Sequence, residues 1–497
     1  MTLQERVQVL VDREAVLQLQ HRLWSAVQLK DEAGIQSCLT EDATCDWNGQ
    51  SVRGREPVTT LLRDRLGVDG TFWGHRAEVD IAGDEATGRW LVYMFSFDPE
   101  HAQVIRTGLA LTGRFTRVGG DWRIASSNYR TEYVARVPAP THTVKQLADK
   151  AAFEPRAIGP QASTPVSLDL EATAQKLEDI DALRRLKYKY WESLDAEHWE
   201  GLNDVFTPDA TSGYQNDVYN FKSRAEIVKW LQEVLGGRMQ RAVQAEYAPV
   251  GHLGRHAEID LTGPSSAVGT WLLSGVQGGE YYHDQYVKVG GRWLTKHIAQ
   301  KTNFRALASH SGITVELGTA PAAPSRAPAT SNKGTATGTS AVPAQLQRLL
   351  DIEDIKRLKH ATLRCLDMHE WEGLRACFAS RVSLMHGTML SLPDVTGEEI
   401  VQTYERLWTR MAPGGLRSML LADHPIIEVT GEGQATGRWS VAMFGVTGRT
   451  SGGWCAIGPC EERYVRENGA WRIASTIWQR RIEANWPLPG LVIKDRE

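Results

Sequence analysis

Three times in its 497 residues the chain repeats one turn followed by a tryptophan: Gly119-Gly120-Asp121-Trp122, Gly290-Gly291-Arg292-Trp293 and Gly469-Ala470-Trp471. A glycine-containing turn between two alternating runs signals a β-hairpin, so each copy predicts the last hairpin of a sheet. A recurring landmark constrains the fold more than composition does, because the same supersecondary unit must be built each time. Two other landmarks precede it in fixed order. Glu78-Val79-Asp80-Ile81, Glu258-Ile259-Asp260-Leu261 and Ile427-Glu428-Val429-Thr430 predict one strand; Ala86-Thr87-Gly88-Arg89-Trp90, Ala267-Val268-Gly269-Thr270-Trp271 and Ala435-Thr436-Gly437-Arg438-Trp439 predict the next.

Before the strands, apolar residues recur at three and four over 13–29, 177–195 and 352–367, which predicts an amphipathic helix opening each copy. A short second helix is expected over 32–39, 198–206 and 370–378, and a third over 55–66, 223–235 and 397–410. Helices followed by antiparallel strands predict an α+β module, its helices packed on one face of a curved antiparallel sheet around a small-molecule pocket. Two breaks in composition separate the copies. Residues 138–168 are proline-rich, and 318–343 are almost wholly Ala, Pro, Ser, Thr and Gly with little to bury. The expected modules are therefore 1–137, 169–317 and 344–497, with linkers at 138–168 and 318–343 and a short helical turn within 143–152.

A net charge of -4 and a pI near 6.4 supply no basic field for nucleic acid. No apolar run approaches the roughly 20 residues that span a bilayer, and residues 1–11 lack the apolar core of a signal peptide. The expectation is a soluble cytoplasmic protein without nucleic-acid or membrane partners. Cys38, Cys45, Cys365, Cys377, Cys455 and Cys460 lack paired zinc spacings and read as buried or idle thiols; Cys455 and Cys460 could meet across a loop, but reduced thiols are the expectation in this compartment.

With these landmarks in place the chain resembles the NTF2-like superfamily, specifically its SnoaL-like domains. The resemblance rests on the helix order, on Phe206-Thr207-Pro208-Asp209-Ala210-Thr211, on His252 eleven residues before Gly263, and on Tyr282-His283-Asp284 followed by Gly290-Gly291-Arg292-Trp293. It covers all three segments and implies three tandem cone-shaped modules. The superfamily includes dehydratases, isomerases, polyketide cyclases, epoxide hydrolases and non-catalytic binding modules, so the fold alone does not choose among them.

The middle copy is similar to the scytalone dehydratase branch. That resemblance implies an aspartate on the first helix (Asp195), a tyrosine lining the cone (Tyr214), a histidine base (His252) and a pocket position at Asp284. The second histidine of the branch is Trp271 here, a departure for which His256 or the His283-Asp284 pair are the replacements. A histidine and a carboxylate meeting in a partly dry pocket make a proton-transfer pair, and tyrosine hydroxyls polarise a carbonyl or hydroxyl group. The catalytic candidates are therefore His252, Asp195, Tyr214, Asp284 and His256, with Trp271, His283, Tyr282 and Tyr190 as substrate-binding candidates. Structural readings stand beside these: histidines satisfied by backbone carbonyls, Asp195 as a helix cap, Tyr214 and Trp271 as core, and His283 alternating to the face opposite Asp284.

The first copy has Gln28, Trp47, Phe72 and Gly113 at the positions of Asp195, Tyr214, His252 and Asp284, with Arg76 at that of His256, and so lacks a positioned base. It reads as a structural or binding wall. The third copy keeps Asp367 and places His386, His424 and Glu462 at the positions of Tyr214, His256 and Asp284, a second acid/base set or a metal site. No compact metal-ligand spacing is present, and neither metal nor cofactor is expected. The function these observations imply is a cofactor-independent acid/base lyase, by dehydration or retro-aldol cleavage, acting on a small aromatic or polycyclic hydroxy or carbonyl compound. An isomerase or cyclase, or a non-catalytic ligand-binding or scaffold protein, is the alternative. The resemblance also implies pairing through the convex sheet face: two modules pair internally and the third recruits a second chain, giving a homodimer.

Overall fold

The computed structural model describes residues 1–67, 70–98, 100–101, 103–138, 145–146, 169–215, 217–237, 253–275, 278–307, 314–317, 342–386, 390–411, 417–447, 452–480, 482–487 and 492–494. Each module opens with a long helix: Leu3–Gln28, Leu170–Asp195 and Val342–Met368. All three begin earlier than their amphipathic windows. The added turns bury Val7 and Leu10 against Ala174, Leu177, Val342, Leu346 and Leu349, where the three helices meet. Val7 and Val16 lie on opposite sides of their helix at about 100° per residue, so the stripe that packs on sister helices is out of phase with the one that packs on the sheet.

Helices Glu32–Cys38 and Trp371–Cys377 follow in modules 1 and 3, and a 3-10 turn, Trp199–Asp204, stands where a helix was expected in module 2. The chain then forms a crossing strand (Leu39–Trp47, Phe206–Tyr214, Phe378–His386), an edge strand (Gln50–Arg53, Tyr219–Phe221, Leu390–Val395) and a third helix (Arg55–Leu66, Arg224–Leu235, Gly397–Met411). Four strands complete the module. The first two are Gly70–Ala82 and Glu85–Asp98, Leu253–Gly263 and Ser266–Gly275, or Arg417–Gly431 and Gln434–Thr447. The last two are Gln103–Val118 and Asp121–Pro138, Gly278–Val289 and Arg292–Leu307, or Gly452–Glu467 and Ala470–Trp478. The sheet runs edge, crossing, fourth, third, second, first. The four strands are antiparallel, but the crossing strand lies parallel to the fourth, pairing Cys45 with Ser127, Ser212 with Ile298 and Leu384 with Thr476. The sheet is thus mixed: its crossing strand arrives from the helices rather than through a hairpin, and no antiparallel return is imposed on it.

The tryptophan that marks each closing hairpin fastens sheet to helix. Trp122, Trp293 and Trp471 donate from Nε1 to Asp12, Asp179 and Asp351 at 3.1, 2.9 and 3.2 Å. Arg117, Lys288 and Arg466 pair with the same three carboxylates. One buried acid per helix therefore receives an indole N–H and a cation, which offsets the cost of removing it from water.

The modules close into a pseudo-threefold ring. The first of the four strands is bulged in each, its register broken between His75 and Glu78, Arg255 and Glu258, and Asp423 and Ile426. Arg76, His256 and His424 occupy the left-handed region there, at φ 53, 57 and 55°, and the bulge re-aims their side chains toward the following module. Each long helix packs on the bulged strand of the preceding module as well as its own, so module 1 meets module 3 as module 2 meets module 1. Three short strands complete the circle: Thr314–Leu317 pairs with Asp121–Pro138 of module 1, and Val492–Lys494 with Arg292–Leu307 of module 2. Lys145–Gln146, within the segment expected to turn as a helix, instead forms a strand on Ile482–Pro487, which extends the sheet of module 3. The expected arrangement, two modules paired and a third left over, does not describe these contacts. A head-to-tail interface that closes after three rotations engages every module on both sides.

Candidate functional site

Beyond the carboxylate that holds the hairpin tryptophan, each long helix buries a further polar residue at one equivalent position: Gln20, Lys187 and Lys359. In module 2 the Lys187 Nζ lies 2.7 Å from Asp284 Oδ2, and their side chains are 2% and 0% exposed. The Tyr286 hydroxyl donates to the same oxygen at 2.7 Å, and Trp271 Nε1 donates to Tyr286 Oη at 2.9 Å. Module 3 repeats the network: Lys359 to Glu462 at 2.6 Å, Tyr464 to Glu462 at 2.5 Å, and Trp439 to Tyr464 at 2.8 Å. Module 1 has Gln20, Gly113 and Phe115 at these positions. The Phe115 ring fills the place of the carboxylate, 3.1 Å from where a Cβ of residue 113 would stand.

Burial pushes the Lys187 ammonium below its ordinary range, and Asp284 only partly opposes the shift. Burial also works against the Lys359 ammonium, but Cys460 and Glu462 outweigh it and raise that group. Tyr286 and Tyr464 are driven well above the usual phenol range, first by burial and then by the adjoining carboxylates, so both remain protonated donors.

The cone of module 2 gathers several of the candidates around this network. Tyr190 and Tyr214 face each other hydroxyl to hydroxyl at 3.1 Å, and Tyr214 stacks on Trp230 at 4.8 Å. The Lys187 ammonium sits 3.9 Å from the centre of the Tyr282 ring. His283 points to the other face, with Nδ1 3.3 Å from Thr270 Oγ1. Asp195, at the helix end, is 26% exposed and meets Arg76 of module 1 at 2.5 Å. His252 lies outside the described residues. His256 stands at the junction with module 3, not in its own cone: Nε2 accepts from the Ala422 N–H at 3.0 Å and the ring stacks on His360 at 4.8 Å.

In module 3, Asp367 accepts from the Leu420 N–H at 3.0 Å and from the Tyr281 hydroxyl of module 2 at 3.2 Å. His386 lies 3.2 Å from the Tyr404 hydroxyl and edge-on to Trp478 at 5.7 Å. Burial, with Lys359 and Arg480 nearby, lowers its imidazole to about 3 and keeps it neutral. His424 belongs to the junction with module 1, where Nε2 accepts from the Gly74 N–H at 2.9 Å and the ring packs on Trp24 at 4.7 Å. The structure therefore joins Asp284 to the tyrosines of cone 2 through Lys187, and brings Glu462 and His386 to the same lysine in cone 3. It sets His256 and His424 in the ring joints.

Sequence reasoning missed the two lysines. The available signal was phase: Lys187 falls in step with Leu183, Tyr190, Trp191 and Leu194, and Lys359 with Ile355, Leu363 and Leu366, where a charge is out of place. Among the described residues no cluster of three or more His, Cys, Asp or Glu is arranged to hold a metal, and no helix is long and apolar enough to cross a membrane.

Comparison with known proteins recognises a SnoaL-like domain three times, at residues 8–128, 175–299 and 347–477. Solved structures match one module's length. Hexachlorocyclohexane dehydrochlorinase LinA-type3 from Novosphingobium barchaimii LL02 is 21% identical over 25% of this chain and 90% of its own, with a TM-score of 0.24. A protein of unknown function from Mycobacterium tuberculosis is 22% identical over 24% of this chain and 72% of its own, with a TM-score of 0.23. An NTF2-like protein of unknown function from Pseudomonas putida KT2440 is 21% identical over 26% and 87%, with a TM-score of 0.21. Likeness at this level carries nothing about chemistry.

Proposed function

The chain belongs to the SnoaL-like domain family, and from that premise we propose that it is a cofactor-independent acid/base lyase whose working cones are those of modules 2 and 3. The observation that carries this reading is the ionic network present in two cones and missing from the third. A buried ion pair commonly adds no more stability than well-packed apolar residues of the same volume. Module 1 makes the same fold with Gln20, Gly113 and Phe115, so the fold does not require Lys187-Asp284-Tyr286 or Lys359-Glu462-Tyr464. Their retention is best explained by chemistry.

Dehydration or retro-aldol cleavage of a hydroxy or carbonyl compound needs a base for one proton and a donor for the oxygen that gains charge. Lys187, its ammonium made more acidic by burial, and the Tyr190-Tyr214 hydroxyl pair supply donors in cone 2. Trp191, Trp230 and Tyr282 supply aromatic wall, which suits a small aromatic or polycyclic substrate. His252 is the proposed base, with Asp195 to orient it. The register of the sister modules supports that pair: Gln28 and Asp367, at the Asp195 position, bond the backbone of Phe72 and Leu420, at the His252 position. In cone 3 the neutral His386 takes the part of the base. Isomerase or cyclase chemistry would use the same groups without releasing a fragment. The cytoplasm is the proposed compartment, since all six thiols are buried and none is in a disulfide.

The test transplants module 1 into its sisters: Lys187→Gln, Asp284→Gly and Tyr286→Phe in module 2, and Lys359→Gln, Glu462→Gly and Tyr464→Phe in module 3. Turnover of an aromatic β-hydroxy-carbonyl panel is followed by ultraviolet absorbance of the conjugated or cleaved product. The combined variant is expected to fold with near wild-type circular dichroism and lose turnover. His252→Ala should lose turnover in cone 2 with little change in melting temperature. Wild-type turnover in the combined variant, or loss of its fold, overturns the assignment.

A further inference from the structure

We propose that the junction between modules 3 and 1 is a binding site for a small carboxylate, distinct from the lysine-carboxylate networks of the cones although Trp439 of module 3 forms part of its wall. The three junctions are equivalent by register, yet they are finished differently. At the first, the helix-end carboxylate Asp195 is met by the Arg76 guanidinium; at the second, Asp367 is met by the Tyr281 hydroxyl. At the third the helix-end residue is Gln28, and Pro459 stands at the Tyr281 position. Both groups that close the second junction, the carboxylate and the tyrosine, are thus replaced. A cavity of about 60 Å³ opens instead, lined by Ser25, Gln28, His424, Arg438, Ser440 and Pro459 among others.

The lining specifies the ligand. Gly74 N–H donates to His424 Nε2, so the proton of the neutral ring sits on Nδ1, and that nitrogen is buried without a partner. The ring is 3% exposed. The hydroxyls of Ser25 and Ser440 add two more groups able to donate, and Gln28 Nε2 is already committed to the Phe72 carbonyl at 3.0 Å. Arg438 stands at the rim, 47% exposed, with Glu461 no nearer than 3.9 Å. Among the described residues no Asp or Glu lines the cavity. Several donors, one cation and no anion suit an acid anion, and the volume has room for roughly four waters or a carboxylate of two to four carbons.

The full-length chain is titrated with sodium acetate and, separately, sodium pyruvate, by isothermal calorimetry and by melting temperature against sodium chloride at equal ionic strength. Gln28→Asp restores the carboxylate of the sister modules and should repel the anion; Pro459→Tyr restores the tyrosine and should fill the cavity. Ser440→Val removes a donor with little change in volume and serves if Pro459→Tyr does not fold. Saturable binding is expected in the wild type, weakened at least about tenfold in each variant. No saturable binding of either acid beyond chloride, or binding unchanged in Gln28→Asp and Ser440→Val, overturns the site. Because the variants leave Lys359, Glu462, Tyr464 and Trp439 in place, turnover measured on the same proteins separates failure of this site from failure of the lyase assignment.

Discussion

Two of the three joints in the ring are built on stacked histidine pairs, which makes assembly sensitive to acid in a calculable way. His256 packs on His360 at 4.8 Å, and His21 on His424 at 5.7 Å. His21 and His360 also donate from Nδ1 to the bulge carbonyls of Pro425 and Ala257 at 3.0 and 3.2 Å. Burial lowers His21 to about 3 and His360 to about 4, with Lys356 adding to the effect at both. Their partners His424 and His256 are lowered well below the ordinary range, again chiefly by burial. Because the folded values lie below the unfolded value of about 6.5, the unfolded chain takes up protons first. Stability is complete above that pH and falls continuously as pH drops through 6.5 toward the folded values. At pH 5, His21 and His360 each cost about 2 kcal/mol, about 4 kcal/mol together, with the other two adding in the same sense. The measurement is urea unfolding followed by tryptophan fluorescence at pH 7.5 and pH 5, for wild type and for His21→Phe with His360→Phe. The double variant should be weaker at pH 7.5, having lost two hydrogen bonds, but should lose about 4 kcal/mol less than wild type on acidification. Parallel pH dependences in the two proteins would refute the reasoning.

Two other outcomes follow from the ring. Arg255 of module 2 and Asp423 of module 3 form an ion pair with side chains 3% and 8% exposed; Asp423→Ala strands the cation and should cost about 3–5 kcal/mol, while Arg255→Met with Asp423→Leu should recover most of it. Wild-type stability in the single variant, read by urea midpoint, would show that the pair is not closed in solution. Removing residues 488–497 takes Val492–Lys494 off the end of Arg292–Leu307 and exposes a strand edge, so the truncated chain should self-associate. Light scattering should give one chain, 55.3 kDa, for the intact protein and larger species for the truncated one; a two-chain mass for the intact protein would favour the homodimer expected from the sequence.

What was legible in the residue order was whatever repeats locally. The glycine turns and their tryptophans gave three hairpins, the period of apolar residues gave the opening helices, and the order of the two gave three α+β modules. The cone candidates Asp284, Tyr214, Tyr282 and Tyr190 came from the same registration, because a strand alternates faces whatever it packs on. The linker turn within 143–152 failed as a prediction because Lys145–Gln146 is held by a partner strand from the far end of the chain.

The modules could be read without coordinates because hairpins, helix stripes and alternating strands are set by contacts within a few residues, and their periodicities are written in the order of side chains. How the modules serve one another emerged with the packed ring. Lys187 finds Asp284 across 97 positions, and Gly74 finds His424 across 350. The bulge at residues 76, 256 and 424 turns side chains that register assigned to the cones into joints between modules. Such contacts depend on where two distant backbones come to rest, and no local period records that.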